Sequence, residues 1–141
     1  MTVPSVPLTS ADALPNVLYD FVDAYDRAFE AAAASQRLSV AQACVLIRLD
    51  EKRGMSSLAV ELGCDASNIT QIVARLESRG LVTREPSPTD GRARLIVRTS
   101  DGDVTKTRFE AAFEFARDVT ERLSADECEQ LTSLLHKAMG A

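Results

Sequence analysis

From Asp12 to Ala34 apolar residues recur at three- and four-residue steps: Leu14, Leu18, Phe21, Tyr25 and Phe29. That period predicts a long amphipathic helix. Asp20, Asp23, Asp26 and Arg27 fall on its other face. Gln36 to Leu38 interrupts the pattern. Ser39 then opens a second helix with Gln42 three residues on, the spacing of a capping box. Val40, Cys44, Ile47 and their neighbours are its expected apolar stripe, and its end is expected near Gly54.

Two short helices follow. Ser56 and Ser57 can cap the first, whose apolar positions are Leu58, Ala59 and Leu62, and Gly63 suits its stop. Asp65 can cap the second, expected over Ala66 to Arg79 with Gly80 just beyond. Two short helices joined only by Gly63, Cys64 and Asp65 form the helix-turn-helix pattern. Leu81 to Arg84 and Leu95 to Thr99 read as strands. Between them, Glu85 to Arg94 contains Pro86, Pro88 and the turn pair Asp90-Gly91, so it reads as a loop. A long helix is expected over Asp101 to Arg122, with Phe109, Phe113, Ala116 and Val119 repeating. Ser124 and Glu127 give a second capping-box spacing before a last helix carrying Leu131, Leu134, Leu135 and Ala138.

The pattern predicts a mainly α chain with a small β-hairpin wing: a winged helix-turn-helix carried on a helical dimerisation region. Residues 1–11 are read as a flexible N-terminus. Residues 38–100 form the winged region, and 12–37 with 101–141 the helical one. The flanking helices carry more apolar residues than a domain of about sixty residues needs for its own packing, which predicts a partner surface and a homodimer.

Composition changes this picture only through charge. The net charge of the 141 residues is −5, with 45% apolar residues. Residues 66–98, however, hold six arginines against Glu77, Glu85 and Asp90, net +3. Phosphate binding needs local positive charge, not a basic protein overall. No apolar run approaches a membrane span, and the first residues lack a secretory pattern, so a cytoplasmic location is expected. Cys44, Cys64, Cys128 and the single His136 are too scattered for a metal or disulfide framework, and no cofactor is implied. Nothing pairs a nucleophile with a base or cradles a phosphate, so an enzyme is the weakest reading.

On the helix 66–79, steps of 100° put Ile69, Ile72, Val73 and Leu76 on one arc. The opposite arc holds Ser67, Asn68, Thr70, Gln71, Ala74, Arg75 and Ser78. Ordinary solvated faces carry more Glu and Lys. Short amides and hydroxyls with one arginine suit base edges and phosphates in double-stranded DNA. At the wing, Arg92 and Arg94 lie near Asp90. An exposed wing arginine suits the minor groove. Asp90 is read as the Asp of the turn, with pairing to Arg92 as a compatible second role. Arg84 suits a phosphate or an ion pair equally well. The alternative from another class is a winged-helix module that binds protein and no longer reads DNA. The net charge favours it, and the grouping of Arg75, Arg84, Arg92 and Arg94 opposes it.

Leu38-Ser39 with Gln42 and Val45-Leu46, Leu58-Ala59 with Leu62-Gly63, Ser67 to Thr70, Leu76 to Val82 with Arg84, Asp90-Gly91-Arg92 and Thr99 to Gly102 occur in an order and spacing that resembles the core of the MarR family, the multiple-antibiotic-resistance regulators. The resemblance implies a dimer formed by the first helix and the last two. It implies a recognition helix in the major groove, Arg92 in the minor groove and a palindromic operator. It further implies repression released by a small aromatic or phenolic ligand. Arg98 departs from the family, which usually has an apolar residue there, and a phosphate contact is the role expected of it. One branch of the family senses peroxides through a cysteine in the first helix, which here has none. Of the three cysteines only Cys64, beside the recognition helix, is placed to affect DNA, and no basic neighbour is evident to activate it.

Overall fold

The long apolar period at the start of the chain forms helix α1 (Ser10–Ser35). The structure is a computed structural model that describes residues 10–141. Most of the segment expected to be loose lies outside the described residues, and α1 already includes Ser10. Its C-terminal turns bury Phe29, Ala32 and Ala33, while its N-terminal part leaves Leu14, Val17, Leu18 and Val22 exposed.

Helix α2 (Val40–Ile47) begins at the expected capping box: Ser39 and Gln42 exchange backbone and side-chain hydrogen bonds. Its end departs from the expectation, and its apolar stripe departs only at Val40. It stops at Ile47 rather than near Gly54, because Arg53 and Gly54 form a short strand, β1 (Arg53–Gly54). Its buried residues are Ala43, Val45 and Leu46, whereas Val40 is exposed and Cys44 and Ile47 pack at the margin of the core.

Helix α3 (Met55–Leu62) starts two residues earlier than a cap at Ser56 would place it. Gly54 is its N-cap, already extended at φ −74° and ψ 158° by its place in β1, and provides no side-chain cap. Helix α4 (Ala66–Ser78) follows after Gly63, Cys64 and Asp65, with Asp65 as N-cap, as the sequence implied. Beyond it the chain turns at Gly80, whose φ of +72° is the left-handed conformation that favours glycine. Ile69, Ile72, Val73 and Leu76 are buried, as the helical arc predicted. They meet Leu46 of α2, Leu58 of α3 and Ile96 of the sheet. Each such side chain, fully buried, contributes about 1.5–3 kcal/mol.

The wing consists of β2 (Val82–Pro86) and β3 (Arg94–Arg98), antiparallel, with β1 on the other edge of β3. The loop is shorter than expected, because Glu85 and Pro86 extend β2 and Arg94 opens β3. Pro86 is tolerated there because β2 is an edge strand and Pro86 is its last residue.

Thr99 N-caps α5 (Ser100–Ala112), and its own N–H donates to the Leu81 carbonyl at 3.1 Å. The expected helix 101–122 is broken into α5 and α6 (Phe115–Arg122) at Phe113 and Glu114. In one continuous helix, residues 113 and 115 would lie about 200° apart. The break lets both rings stand edge-on to Tyr25, at centroid distances of 5.2 and 5.5 Å. Helix α7 (Ala125–Ala138) opens with the second expected capping box, Ser124 and Glu127. Neither α6 nor α7 contains a buried residue.

Candidate nucleic-acid interface

The outer face of α4 exposes Ser67, Asn68, Thr70, Gln71, Ala74 and Arg75 together. Local bonds at its first turn fix the conformation. The Asp65 carboxylate accepts from the Asn68 N–H and from the Ser67 hydroxyl, each at 2.8 Å. The Asn68 amide, then the Ser67 hydroxyl, hold its pKa below the ordinary carboxylate value. The Thr70 hydroxyl donates to the Ala66 carbonyl at 2.7 Å. These bonds leave the side chains of Asn68, Gln71 and Arg75 directed outward without an ion pair among the described residues.

The wing tip is also ordered locally. The Ser87 hydroxyl accepts from the Thr89 and Asp90 amides at 3.3 Å. The Asp90 carboxylate accepts from the Arg92 backbone N–H at 3.1 Å, which is the turn role read from the sequence. Arg92 and Arg94 are exposed, and neither guanidinium has an ion pair among the described residues. Arg84 differs, since its Nε lies 3.3 Å from the Glu77 carboxylate, so α4 and β2 are tied by an ion pair. This is one of the two roles the sequence left open for it.

The phosphate role expected of Arg98 is not the one it plays. Its side chain is only 12% exposed. Nη1 donates to the Leu46 carbonyl at 3.0 Å, Nη2 to Asp50 at 2.9 Å and Nε to Asp103 at 2.6 Å. Burial opposes its charge, but Asp103 and Asp50 outweigh burial and raise its pKa above the ordinary arginine value. Arg98, then Lys106, lower the pKa of Asp50. Arg98 is therefore a junction between the end of α2, the wing and α5. No sequence signal marked Asp50 or Leu46 as its partners, because they lie 48 and 52 residues away. Arg79, the C-cap of α4, was also missed as a site residue. It is bonded to the turn after α1.

The comparisons with known proteins meet this geometry. A family described as the MarR family matches residues 38–93. The transcriptional regulator HosA of Escherichia coli O111:H- is 32% identical over 110 residues, which are 74% of this chain and 79% of that protein. The chain belongs to the MarR family. It is thus one of a family of DNA-binding transcriptional regulators, not of enzymes. A Thauera aromatica protein, named as a regulatory protein for the hcr operon, is 37% identical over 83 residues. That match spans 58% of this MarR-family chain and half the length of the relative. Among solved structures, apo wild-type MarR from E. coli is 25% identical with a TM-score of 0.72, covering 96% of this chain and 98% of that one. A mutant of the same protein, solved with operator DNA, is 26% identical with a TM-score of 0.70, covering 95% and 99%. These neighbours agree with the winged-helix reading of the fold.

Proposed function

We propose that this MarR-family regulator reads double-stranded DNA sequence-specifically as a homodimer on a palindromic operator. One observation carries the reading. Arg75, Arg92 and Arg94 stand exposed on α4 and the wing without carboxylate partners among the described residues, whereas Arg53, Arg84 and Arg98 of the same region are all held by Glu or Asp. In this reading Ser67, Asn68, Thr70, Gln71 and Arg75 face the major groove. Arg92 enters the minor groove from the wing, with Arg94 behind it and Asp90 fixing the turn. Arg84, steadied by Glu77, offers its remaining N–H groups to a phosphate. A neighbouring structure with operator DNA supports the mode of binding.

The dimer is supported by the uncovered apolar faces of α1 and α7. Leu14, Val17 and Tyr19 are 61%, 59% and 72% exposed, and Leu134 and Met139 are 63% and 71% exposed. Among the described residues nothing covers this patch. Pairing places two α4 helices for half-sites about 34 Å apart. Repression, with release by a small aromatic or phenolic ligand, is the remaining part of the proposal. The cavity of about 330 Å³ between α1, α6 and α7, lined by Phe21, Tyr25, Phe115, Val119, Leu131 and others, has the size and apolar lining for such a compound.

The test is selection of the purified protein from random duplexes at two salt concentrations. Enrichment of an inverted repeat supports the reading. Uniform weak, salt-sensitive binding would defeat it.

A further inference from the structure

The turn that ends α1 is held by Arg79, the C-cap of α4. The Leu38 N–H returns to the Ala33 carbonyl at 2.9 Å, and Arg37 stands at a φ of 56°, a position usually given to glycine. The last turn of α1 has no basic side chain of its own. A helix C-terminus leaves carbonyls and partial negative charge to be met. Arg79 brings its positive charge to this end through the turn that follows: Nη1 donates to the Arg37 carbonyl at 2.7 Å and Nη2 to the Gln36 carbonyl at 3.0 Å. Its backbone N–H meanwhile closes α4 onto the Arg75 and Glu77 carbonyls. One residue thus closes α4 and ties it to the turn after α1, 42 and 43 residues away in sequence.

A planar guanidinium held by two parallel bonds fixes orientation as well as distance, which an ammonium does not. Arg79 lies at the C-terminal end of α4, directed at α1, and belongs to no part of the exposed arc from Ser67 to Arg75. We propose that Arg79 is a positioning residue for DNA reading, which sets the angle of α4 against α1 and thereby the half-site spacing the dimer accepts. The inference rests on α4 being the recognition helix and α1 a dimer helix.

The experiment uses the full chain and the inverted repeat selected by the wild type, together with versions one base pair shorter and longer between half-sites. The wild type is expected to prefer its own spacing by roughly tenfold. Arg79→Ala is expected to lose most of that preference, binding all three spacings within about threefold, while remaining dimeric and folded by circular dichroism. Arg79→Lys keeps the charge without the fork and is expected to recover affinity but not spacing preference, which guards against an Ala variant that folds poorly. Wild-type spacing preference in both variants would overturn the proposal. So would an equal loss on every duplex, random DNA included, with a salt slope reduced by about one, since that is the mark of a phosphate contact. A wild type that selects no repeat would refute the recognition-helix reading, and this inference with it.

Discussion

Gly102→Ala is a substitution for which helix propensity and packing disagree in sign. Gly102 lies inside α5, where replacing glycine by alanine normally stabilises by up to about 1 kcal/mol. Here the residue is buried, and an added Cβ would overlap the Leu81 carbonyl oxygen and come within 2.5 Å of Arg98 Cγ. The first neighbour is backbone and cannot swing away. The second is the stem of a side chain pinned at three points. Overpacking of this kind costs about 1–3 kcal/mol. Withdrawing Leu81 would also weaken the Thr99 N–H bond to its carbonyl, a further cost of about 1 kcal/mol. The net expectation is a loss of about 2 kcal/mol, or a fall of about 4–8 °C in Tm for a chain of this size. The assay is thermal unfolding at one fixed protein concentration, since association alters the apparent Tm. A Tm equal to or above that of the wild type would refute the packing argument.

Other substitutions separate reading from folding. Arg92→Ala is expected to weaken operator binding by about 1–3 kcal/mol while stability stays within about 0.5 kcal/mol, checked by titration and urea unfolding. Arg75→Ala should also relax base preference in a selection experiment; a uniform loss would make Arg75 a phosphate contact. Arg98→Met removes three charged hydrogen bonds and should cost roughly 1–3 kcal/mol in urea unfolding, without changing the salt slope of DNA binding. The Asp65 pKa is lowered on folding, so its charged cap stabilises above the ordinary carboxylate value and that contribution fades as pH falls through and below it. The stability gap between wild type and Asp65→Ala should therefore hold from neutral pH down to about 5 and shrink below about 4, as followed by urea unfolding across that range.

The elements that were legible in the sequence are those whose signals are local. The arc of Ile69, Ile72, Val73 and Leu76 and the caps at Ser39, Asp65 and Ser124 each depend on residues within one or two turns. The candidate face of α4 followed from the same arc. What stayed hidden depends on distant partners. Two residues cannot announce a strand, and β1 exists because Ile96 and Leu95 lie opposite Arg53 and Gly54. The apolar period ran through Phe113 without a gap, so the break at that residue left no trace in the spacing. Arg98 and Arg79 resembled DNA contacts or surface charge by composition alone. Their partners, Asp50 and Leu46 for one and Gln36 and Arg37 for the other, are brought to them only by the fold.

The break after α5 also bears on which parts of the chain open first. Beyond Phe113 the helices hold to the rest of the molecule through rings such as Phe21, Tyr25 and Phe115 rather than through buried core residues. Amide protons of α6 and α7 in a lone chain would then exchange with solvent by local opening, far ahead of those in α4. If α1 and α7 are covered by a second copy, the slow exchange of these amides becomes a collective property that dilution alone can remove.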